Sequence, residues 1–414
     1  MTQPIMHRRR VSELISPLGG TETLELTRLL DRPRRLTADV RSPIDVPGFD
    51  NSSMDGYALS ASTAGTGGPI PVRGRVAAGA VGTEVEEGTA VEIMTGAPLP
   101  PGTDLVVPVE ATRPGRFDAP EITLLRPATA GDFVRRRGSD VTAGTRVLEA
   151  GAMLSPARLG VAAACGVDRL EVLRLPRVLL VSTGDEIAAA PGDGPEASAR
   201  IHDANAITLA AHLHRLGASV ETLSVPDDPQ ALLEQVSASD ADLVVSTGGV
   251  SKGAHEVVKL AADLDPTAAM DFTVVAMQPG GPQGCGTLAG HPWVALPGNP
   301  VSALISFEMF LRPALLRLDV DEDPRPVEHH RLPGGLDEAP PSGKLQIRRA
   351  VLAGSGLELV GGSRSHLLHS YARSTHLVFI PPCDDGPDAP GGRDSAPGTD
   401  RADENVVLKT WRIS

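Results

Sequence analysis

The chain has 414 residues, a formal net charge of -14 and 41% hydrophobic residues. This length predicts roughly two to four domains. The excess of acidic groups argues against a general nucleic-acid-binding protein, which needs a basic surface to displace counterions. It does not exclude an anionic small substrate held by local arginines and backbone amides.

Three widely spaced cysteines, Cys165, Cys285 and Cys383, form no CxxC pair. Their number and spacing indicate a reducing compartment, with neither a disulfide framework nor a zinc site. No segment has the length and apolar character of a membrane span, and no apolar signal region follows the N-terminal arginines. We therefore expect a soluble, cytoplasmic protein that binds neither nucleic acid nor membranes.

The first 175 residues predict short elements around a small β domain. Helical patterns lie between residues 11 and 40, for example in TETLELTRLL at 21–30. From residue 43 to 146, apolar runs alternate with turn residues, which predicts short strands in PVRGRVAAG, TAVEIMTGA, DLVVPVE and EITLLRP. Residues 155–175 predict a helix followed by a short strand.

From residue 176 to 322 the pattern changes to alternating strands and helices. Continuous apolar strands alternate with helical segments such as IHDANAITLAAHLHRLGA, DPQALLEQVSAS and VSALISFEMFLRPALLRL. This alternation predicts a parallel sheet covered on both faces. In such sheets ligands bind at the carboxyl ends of the strands, where VSTGDE and VSTGGV lie.

Residues 323–414 predict a small C-terminal β domain. Its strand-like runs are KLQIRRAVL, LELVGG, HLVFIPP and VVLKTWRI. The acidic, Gly/Pro-rich stretch at 383–404 is expected to form a mobile loop.

Three motifs in the predicted β domain carry polar groups that could bind a ligand. FDNSSMDGYAL places Asp55 before a glycine, which is typical of an Asx-rich turn or of an oxygen ligand. MTGAPLPPGTD exposes Thr95 and backbone amides, as either an anion-binding nest or a proline-stiffened loop. VRRRGSD sets three arginines beside Asp140, as either a solvated charge run or phosphate-binding forks.

Three further motifs lie at strand ends of the α/β region. STGDE carries two acids, which favour Mg²⁺ more than direct phosphate contact. STGGVSKGAHE has a glycine pair that lets the backbone approach a ligand, with Lys252 and Glu256 as candidate contacts, although it is not a Walker motif. ALPGNPVSALISF is a capped helix start whose free amides can also bind an anion.

The six motifs together indicate a phosphorylated ligand and a divalent cation at the carboxyl edge of the sheet. No nucleophile–base pattern is evident in the sequence. Positioning, charge neutralisation and help from a metal ion therefore fit better than covalent catalysis.

The chain resembles the MoeA family of molybdopterin molybdenumtransferases, which includes the E domain of gephyrin. The resemblance lies in seven segments in the family's order: DVPGFDNSSMDGYA, EIMTGAPLPPGTD, VRRRGSDV, STGDE, VPDD, STGGVSKG and LPGNPVSA. It implies a multidomain α/β plus β fold. The implied parts are an elongated linker domain (1–42 and 147–175), an inserted, mostly β domain (43–146), a three-layer α/β molybdopterin-binding domain (176–322) and a C-terminal β-barrel-like domain (323–414).

The resemblance also implies a reaction in molybdenum cofactor biosynthesis. In this reaction molybdate is inserted into adenylated molybdopterin with Mg²⁺ as cofactor, and AMP is released. It further implies a homodimer with shared active sites and a complex with the molybdopterin adenylyltransferase.

Carried over to this chain, the resemblance assigns catalytic roles to Asp55, Thr95, Asp140 and Glu186. It assigns metal binding to Asp185, Glu186, Asp228 and Glu256. The substrate-binding residues that it implies are Asn51, Ser53, Arg136, Arg137, Ser182, Thr183, Gly184, Thr247, Gly248, Gly249, Ser251, Pro297, Gly298, Asn299, Pro300, Ser363 and Arg364.

One departure from the family pattern keeps a second function open. The family commonly has KPGKP where this chain reads QPGGP, so Gln278 and Gly281 replace two lysines. The alternative is a catalytically weak or inactive paralogue that acts as a pterin- or nucleotide-binding scaffold. A third hypothesis, adenylyl transfer to molybdopterin, conflicts with the ordered motifs of the β domain.

Overall fold

A computed structural model describes residues 1–31, 34–80, 82–185, 187–188, 201–250, 256–354, 356–382 and 406–413. The chain divides into two units. Unit 1 comprises Met1–Thr21, Asp31–Arg34 and Leu173–Ser414, and unit 2 comprises Glu22–Leu30 and Arg35–Val172. None of the helices in the described residues has the length and apolar character to cross a membrane.

The strands of residues 20–174 are short. They are β1 (Gly20–Glu25), β2 (Val40–Arg41), β3 (Asn51–Ser52), β4 (Gly56–Leu59), β5 (Ile70–Val76), β6 (Ala90–Ile93), β7 (Leu105–Pro108), β8 (Thr112–Arg113), β9 (Glu121–Leu124), β10 (Val134–Arg135), β11 (Arg146–Leu148) and β12 (Arg169–Arg174).

Unit 2 contains a six-stranded sheet with the order β7-β4-β6-β5-β9-β8. Its pairs are antiparallel except for the parallel pair of β5 and β6. Tyr57 and Leu59 of β4 are fully buried in its core, and the Tyr57 hydroxyl donates to the Arg116 carbonyl over 2.6 Å. The strands predicted within residues 43–146 are therefore confirmed, while the domain boundaries stay a prediction.

The strands of residues 178–412 belong to unit 1. They are β13 (Val178–Thr183), β14 (Ile187–Ala188), β15 (Ile201–His202), β16 (Val220–Val225), β17 (Leu243–Thr247), β18 (Ala269–Val274), β19 (Met277–Gln278), β20 (Pro282–Leu288), β21 (His291–Leu296), β22 (Val327–Leu332), β23 (Leu345–Ala353), β24 (Gly356–Leu359), β25 (His376–Ile380) and β26 (Val406–Arg412).

The helices of the described residues follow the same chain order. They are α1 (Pro4–Ile15), α2 (Ala61–Ala64), α3 (Pro156–Ala164), α4 (Ala204–Leu216), α5 (Pro229–Ser237), α6 (Val257–Leu264), α7 (Pro300–Ser306), α8 (Arg312–Leu315) and α9 (Leu368–Arg373), with 3₁₀ turns at Leu26–Leu29 and Val109–Ala111 and a π-helical segment at Phe307–Leu311.

A six-stranded sheet with the order β16-β13-β17-β21-β20-β18 forms the α/β part of unit 1. The first four strands are parallel, as predicted, but β20 runs antiparallel to both of its neighbours, β21 and β18, so the expectation of an all-parallel sheet is wrong. Only Ala289 and Gly290 separate β20 from β21. A connection of two residues permits a hairpin, whereas parallel neighbours need a long crossover.

Helices pack on this sheet through apolar side chains. Leu232 and Val236 of α5 and Val258 of α6 pack in one core with Leu179 and Val244 of the strands. Helix α4 packs on β13 and β16. It ends at Gly217, as predicted, because this glycine adopts the left-handed conformation that closes a helix.

The C-terminal part of unit 1 forms a second six-stranded sheet. Its order is β19-β23-β25-β26-β22, and β24 pairs with β23. The four strands predicted after residue 323 are β23 to β26 and are confirmed. Strand β22 was not predicted.

One helix prediction is wrong, and one is confirmed with a local change. Residues 21–30 lie in strand β1 and a 3₁₀ turn, with the strand residues alternating between half-buried and exposed. Threonines at alternate positions favour a strand because their branched Cβ atoms fit a pleated surface. The long helix predicted from residue 301 is present as continuous helical backbone from Pro300 to Leu315, and it contains the π-helical segment.

A buried ion network anchors the π-helical segment. Glu308 has no exposed surface and accepts hydrogen bonds from Arg325, at 2.9 Å from Nε and 2.7 Å from Nη2. Nε of Arg312 lies 3.7 Å from the same carboxylate, and Nδ1 of His212 on α4 lies 3.9 Å from it. Burial lowers the pKa of His212, so the imidazole is neutral at pH 7 and the arginines balance Glu308. The network connects α4 with the helix that begins at Pro300.

We expect Arg325→Leu to destabilise the protein strongly, because the variant leaves Glu308 buried without its main partner. Breaking a buried ion pair costs about 3–5 kcal/mol, whereas an exposed pair contributes about 0–1 kcal/mol. Arg10→Ala removes an exposed pair with Asp271 and is the control. Thermal unfolding should show a much larger fall in Tm for Arg325→Leu, and equal falls would contradict the role of the network.

Candidate active site

A cavity of about 1190 Å³ lies in unit 1 at the carboxyl ends of its parallel strands. The turns after β13, β17 and β21 form part of its wall, together with the start of α4. The segment at 278–282 and residues 363–366 are also part of the lining. The cavity lies at the edge of the sheet where a ligand site is predicted.

The strand ends approach each other so closely that a side chain at Gly248 would press on Thr183. Its φ is 95°, and a Cβ atom there would lie 3.0 Å from both the carbonyl oxygen and the hydroxyl of Thr183. A Cβ atom on Gly298 would lie 3.4 Å from the Cα atom of Gly248. The hydroxyl of Thr183 also donates to the Thr247 carbonyl over 3.4 Å. The three turns therefore pack backbone against backbone.

Asn205 holds one of these turns from the side of α4. Its Nδ2 donates to the Gly298 carbonyl over 2.6 Å, and the residue is 9% exposed. Asp203 caps the same helix, since its Oδ1 accepts from the Ala206 amide at 2.8 Å. Both residues line the cavity. The sequence interpretation missed them, although the N-cap signal in IHDAN marks a turn at the edge of the sheet.

The segment at 278–282 is held against α7. The buried Gln283 donates from Nε2 to the Gly280 carbonyl over 2.7 Å and to the Ser306 hydroxyl over 2.6 Å. Strand β19 pairs with β23, with Met277 opposite Leu345. Lys344 immediately precedes β23 and lines the cavity. The sequence interpretation also missed this cation.

The two acids of VPDD have different positions. Asp227 lines the cavity, and its amide donates to Oδ1 of Asp185 over 3.1 Å. Asp228 caps α5, where its Oδ1 accepts from the amides of Gln230 and Ala231 at 2.9 Å and 3.2 Å. Glu256, at the start of α6, lines the cavity. Asp227 lines the cavity and Asp228 does not, so Asp227 is the better placed of the pair.

Most of the site residues predicted in unit 1 lie together around the cavity. The predicted residues that line the cavity are Thr183, Gly184, Thr247, Gly248, Gly249, Glu256, Pro297, Gly298, Asn299, Pro300, Ser363 and Arg364. Ser182, Asp185 and Asp228 are not part of the lining. Glu186 and Ser251 lie outside the described residues, as does Lys252.

Asp55 and Thr95 form a direct contact within unit 2. The Asp55 carboxylate accepts hydrogen bonds from the amide and the hydroxyl of Thr95, both over 2.7 Å. These two donors lower the pKa of Asp55 from its usual 3.8. The carboxylate is therefore ionised at neutral pH.

The arginines of VRRRGSD pair with aspartates of the same unit. Arg136 donates to Asp50 over 2.6 Å, the amide of Arg137 donates to Asp50 over 2.7 Å, and the Arg137 side chain pairs with Asp45. The amide of Arg137, followed by the Arg136 side chain, lowers the pKa of Asp50. The two arginine side chains are 56% and 66% exposed, so a role in anion binding stays a prediction.

The other predicted residues of unit 2 occupy different surroundings. Asn51 is buried and donates to the Phe49 carbonyl over 3.4 Å. The Ser53 hydroxyl donates to the Phe133 carbonyl over 3.0 Å. Asp140 is exposed. Their predicted roles stay predictions.

Two family models match the chain. The MoeA N-terminal region (domain I and II) matches residues 5–166, and the probable molybdopterin binding domain matches residues 179–317. The chain is 43% identical over 364 residues to molybdopterin molybdenumtransferase 2 of Mycobacterium tuberculosis, covering 84% of this chain and 88% of the relative. The chain belongs to the MoeA family of molybdopterin molybdenumtransferases.

Another relative and a solved structure agree with this assignment. The molybdopterin molybdenumtransferase of Haemophilus influenzae is 32% identical over 379 residues, covering 89% of this chain and 92% of the relative. The molybdopterin biosynthesis MoeA protein of Pyrococcus horikoshii superposes with a TM-score of 0.70 at 27% identity, over 92% of this chain and 95% of that one. The predicted MoeA resemblance and the multidomain α/β plus β fold are therefore confirmed, and the chain is a transferase of molybdenum cofactor biosynthesis.

We expect Gly248→Ala to disrupt the meeting point of the three turns. A non-glycine residue at positive φ costs about 1–2 kcal/mol, and the new Cβ atom would also press on Thr183. Gly290→Ala is the control, because Gly290 has a φ of 77° and no atom lies within 4 Å of the position that its Cβ atom would take. Thermal unfolding should show the larger fall in Tm for Gly248→Ala. Equal falls would mean that the close approach of the turns has no energetic importance.

Proposed function

We propose that the protein inserts molybdate into adenylated molybdopterin in a Mg²⁺-dependent reaction that releases AMP. The observation that carries this proposal is the cavity at the strand ends, which brings glycine turns, carboxylates and lysines together. It occurs in a chain of the MoeA family, whose relatives in Mycobacterium tuberculosis and Haemophilus influenzae are named molybdopterin molybdenumtransferases.

The cavity lining suits a phosphorylated, anionic ligand. Gly248 and Gly249 adopt φ values of 95° and 66°, and without side chains their backbone can come close to a ligand. Lys259, Lys344 and Arg364 line the same cavity. Their positive charge complements phosphate and molybdate, and the guanidinium group can donate two parallel hydrogen bonds to such an anion.

The residues of the cavity also fit a Mg²⁺ ion. Asp203, Asp227 and Glu256 line it, and Mg²⁺ usually binds one or two carboxylates together with phosphate oxygens and water. The buried hydroxyl of Thr247 has no partner among the described residues, which suits a polar ligand at this edge. When bound, Mg²⁺ would neutralise charge on the phosphate oxygens.

We assign metal binding to Asp227 and Glu256. Asp185 is a positioning residue, because it holds the backbone of Asp227 through a hydrogen bond. Asp228, as a helix cap, has a sufficient structural reason for its presence. The role of Glu186 stays a prediction.

The remaining residues position the reactants. Asn205 fixes the carbonyl of Gly298, and Gln283 fixes that of Gly280, so both segments present a defined backbone surface to a ligand. Fixed dipoles and charges stabilise a developing negative charge without reorganisation. In this proposal the chain accelerates release of AMP by positioning and charge neutralisation rather than by a covalent intermediate.

The quaternary arrangement and compartment belong to the same proposal. We propose a cytoplasmic homodimer with shared active sites, to which Asp55, Thr95 and Asp140 contribute, and a complex with the molybdopterin adenylyltransferase. The ionised Asp55 carboxylate supports a role for a charged group there. Cys165 and Cys285 are free thiols, which supports a reducing compartment.

The decisive assay measures AMP release from adenylated molybdopterin with molybdate and Mg²⁺. We expect release in proportion to molybdate, and its loss when Mg²⁺ is chelated. Asp227→Asn should lower the rate by about tenfold or more because it removes a charged oxygen ligand. Asp228→Asn keeps a good helix cap and should change the rate by less than about twofold.

The relative from Mycobacterium tuberculosis serves as the positive control. If it releases AMP and this protein does not exceed an enzyme-free blank, the proposed activity is wrong. Equal effects of the two aspartate variants would instead overturn only the assignment of the metal ligand.

The scaffold hypothesis is favoured by Gln278 and Gly281, where the family commonly has lysines. Lys344 lines the cavity beside this segment and offers a cation in their place. If the protein turns over adenylated molybdopterin, Lys344→Ala should lower the rate of AMP release.

If the protein is a scaffold, calorimetry should show pterin binding without AMP release. The double variant Gln278→Lys, Gly281→Lys should then restore activity. Gly281 tolerates a side chain, because a Cβ atom there would have its nearest neighbour at 3.5 Å.

A further inference from the structure

Two histidines and a glutamate converge in the C-terminal sheet, outside the cavity lining. Glu328 and His330 lie on β22, and His376 lies on β25. Strand β26 separates these strands, and its Thr410 lies opposite both Glu328 and Val378. Because side chains alternate along a strand, this register places all three residues on one face of the sheet. We refer to Glu328, His330 and His376 as the C-terminal cluster.

The ligand atoms of the C-terminal cluster are within coordination distance of a common centre. Oε2 of Glu328 lies 2.7 Å from Nε2 of His330 and 3.2 Å from Nε2 of His376. All three atoms lie within 4.8 Å of one another. Ligands at about 2.0–2.1 Å from a tetrahedral Zn²⁺ ion are separated by about 3.4 Å. Only small shifts of the side chains would therefore admit an ion.

A further contact orients one imidazole for metal binding. Nδ1 of His376 lies 2.8 Å from the hydroxyl of Thr375. If Nδ1 carries the proton and donates it to this hydroxyl, the lone pair of Nε2 points to the cluster. Metal-binding histidines usually have such a partner on their second nitrogen.

The C-terminal cluster is only partly buried, so an ion can reach it from solvent. The side chain of His376 is 4% exposed, whereas those of His330 and Glu328 are 22% and 34% exposed. One side of the cluster is thus enclosed by the sheet, and the other is open to solvent. Arg412 lies opposite His376 on β26 but is exposed, so solvent screens its charge.

We propose that Glu328, His330 and His376 bind a divalent transition-metal ion, with Zn²⁺ as the best match and solvent as the fourth ligand. Two imidazoles and one carboxylate are a donor set that Zn²⁺ accepts. The ion joins β22 to β25 across β26 and stabilises the folded sheet by mass action. This proposal revises the expectation of no zinc site, which rested on the cysteines alone.

The full-length protein is first treated with a chelator to remove bound metal, and the chelator is then removed. Zn²⁺ binding is measured with Mg²⁺ in excess, so that Mg²⁺ occupies the carboxylates of the cavity. Wild type should bind one more equivalent of Zn²⁺ in calorimetry than His330→Gln. Since even the outer partners of metal ligands change affinity by about 10- to 100-fold, loss of a ligand should weaken this site by at least that factor. Glu328→Gln keeps the shape of the side chain and should show the same loss.

The matched control is His329→Gln. His329 is the adjacent residue on β22, is exposed and lies opposite Lys409, so its side chain belongs to the other face of the sheet. The His329→Gln variant should bind Zn²⁺ like wild type. Zn²⁺ should raise the Tm of wild type and of His329→Gln, but not that of His330→Gln. Co²⁺ should give visible absorption bands that depend on His330 and not on His329. Equal stoichiometry and affinity in His330→Gln and His329→Gln would overturn the proposal, as would the absence of Zn²⁺ binding in wild type.

Discussion

The close approach of three backbone turns at one edge of the α/β sheet is the constraint on which the cavity depends. Gly248 lies so close to Thr183 that a Cβ atom there would press on it, and Gly298 lies within van der Waals contact of Gly248. Parallel strands deliver their carboxyl ends to the same edge, so residues from distant parts of the sequence reach one place. Because glycine has no side chain, backbone atoms line this part of the cavity. A phosphorylated ligand can approach such a surface closely.

Buried polar groups hold the walls of the cavity in place. Asn205 connects α4 to the turn at Gly298, and Gln283 connects the segment at 278–282 to α7. Glu308 and its arginines fix the helix behind these contacts. A site on rigid, hydrogen-bonded supports keeps its charges in position without reorganisation, which is the property that catalysis by charge neutralisation needs. The buried network therefore belongs to the proposed function as well as to stability.

Sequence patterns predicted the strand-end turns well, because each turn follows a continuous apolar strand and contains glycine. They could not separate Asp227 from Asp228, since helix capping and metal binding both use a carboxylate at this position. Lys344 was missed because it reaches the cavity only through the pairing of β19 with β23. The C-terminal cluster was missed for the same reason, as His376 joins β22 residues across a third strand. The antiparallel β20 was missed because its glycine-rich sequence lacks an apolar run.

We propose that the turns at the strand ends form the binding site for the adenylated substrate. A crystal structure of the protein with AMP and Mg²⁺ tests it most directly. We expect the phosphate of AMP to lie against the backbone of residues 247–249 and 297–299, with the Mg²⁺ ion bound by Asp227 and Glu256. Nucleotide bound away from these turns, with the cavity filled by solvent, would contradict it.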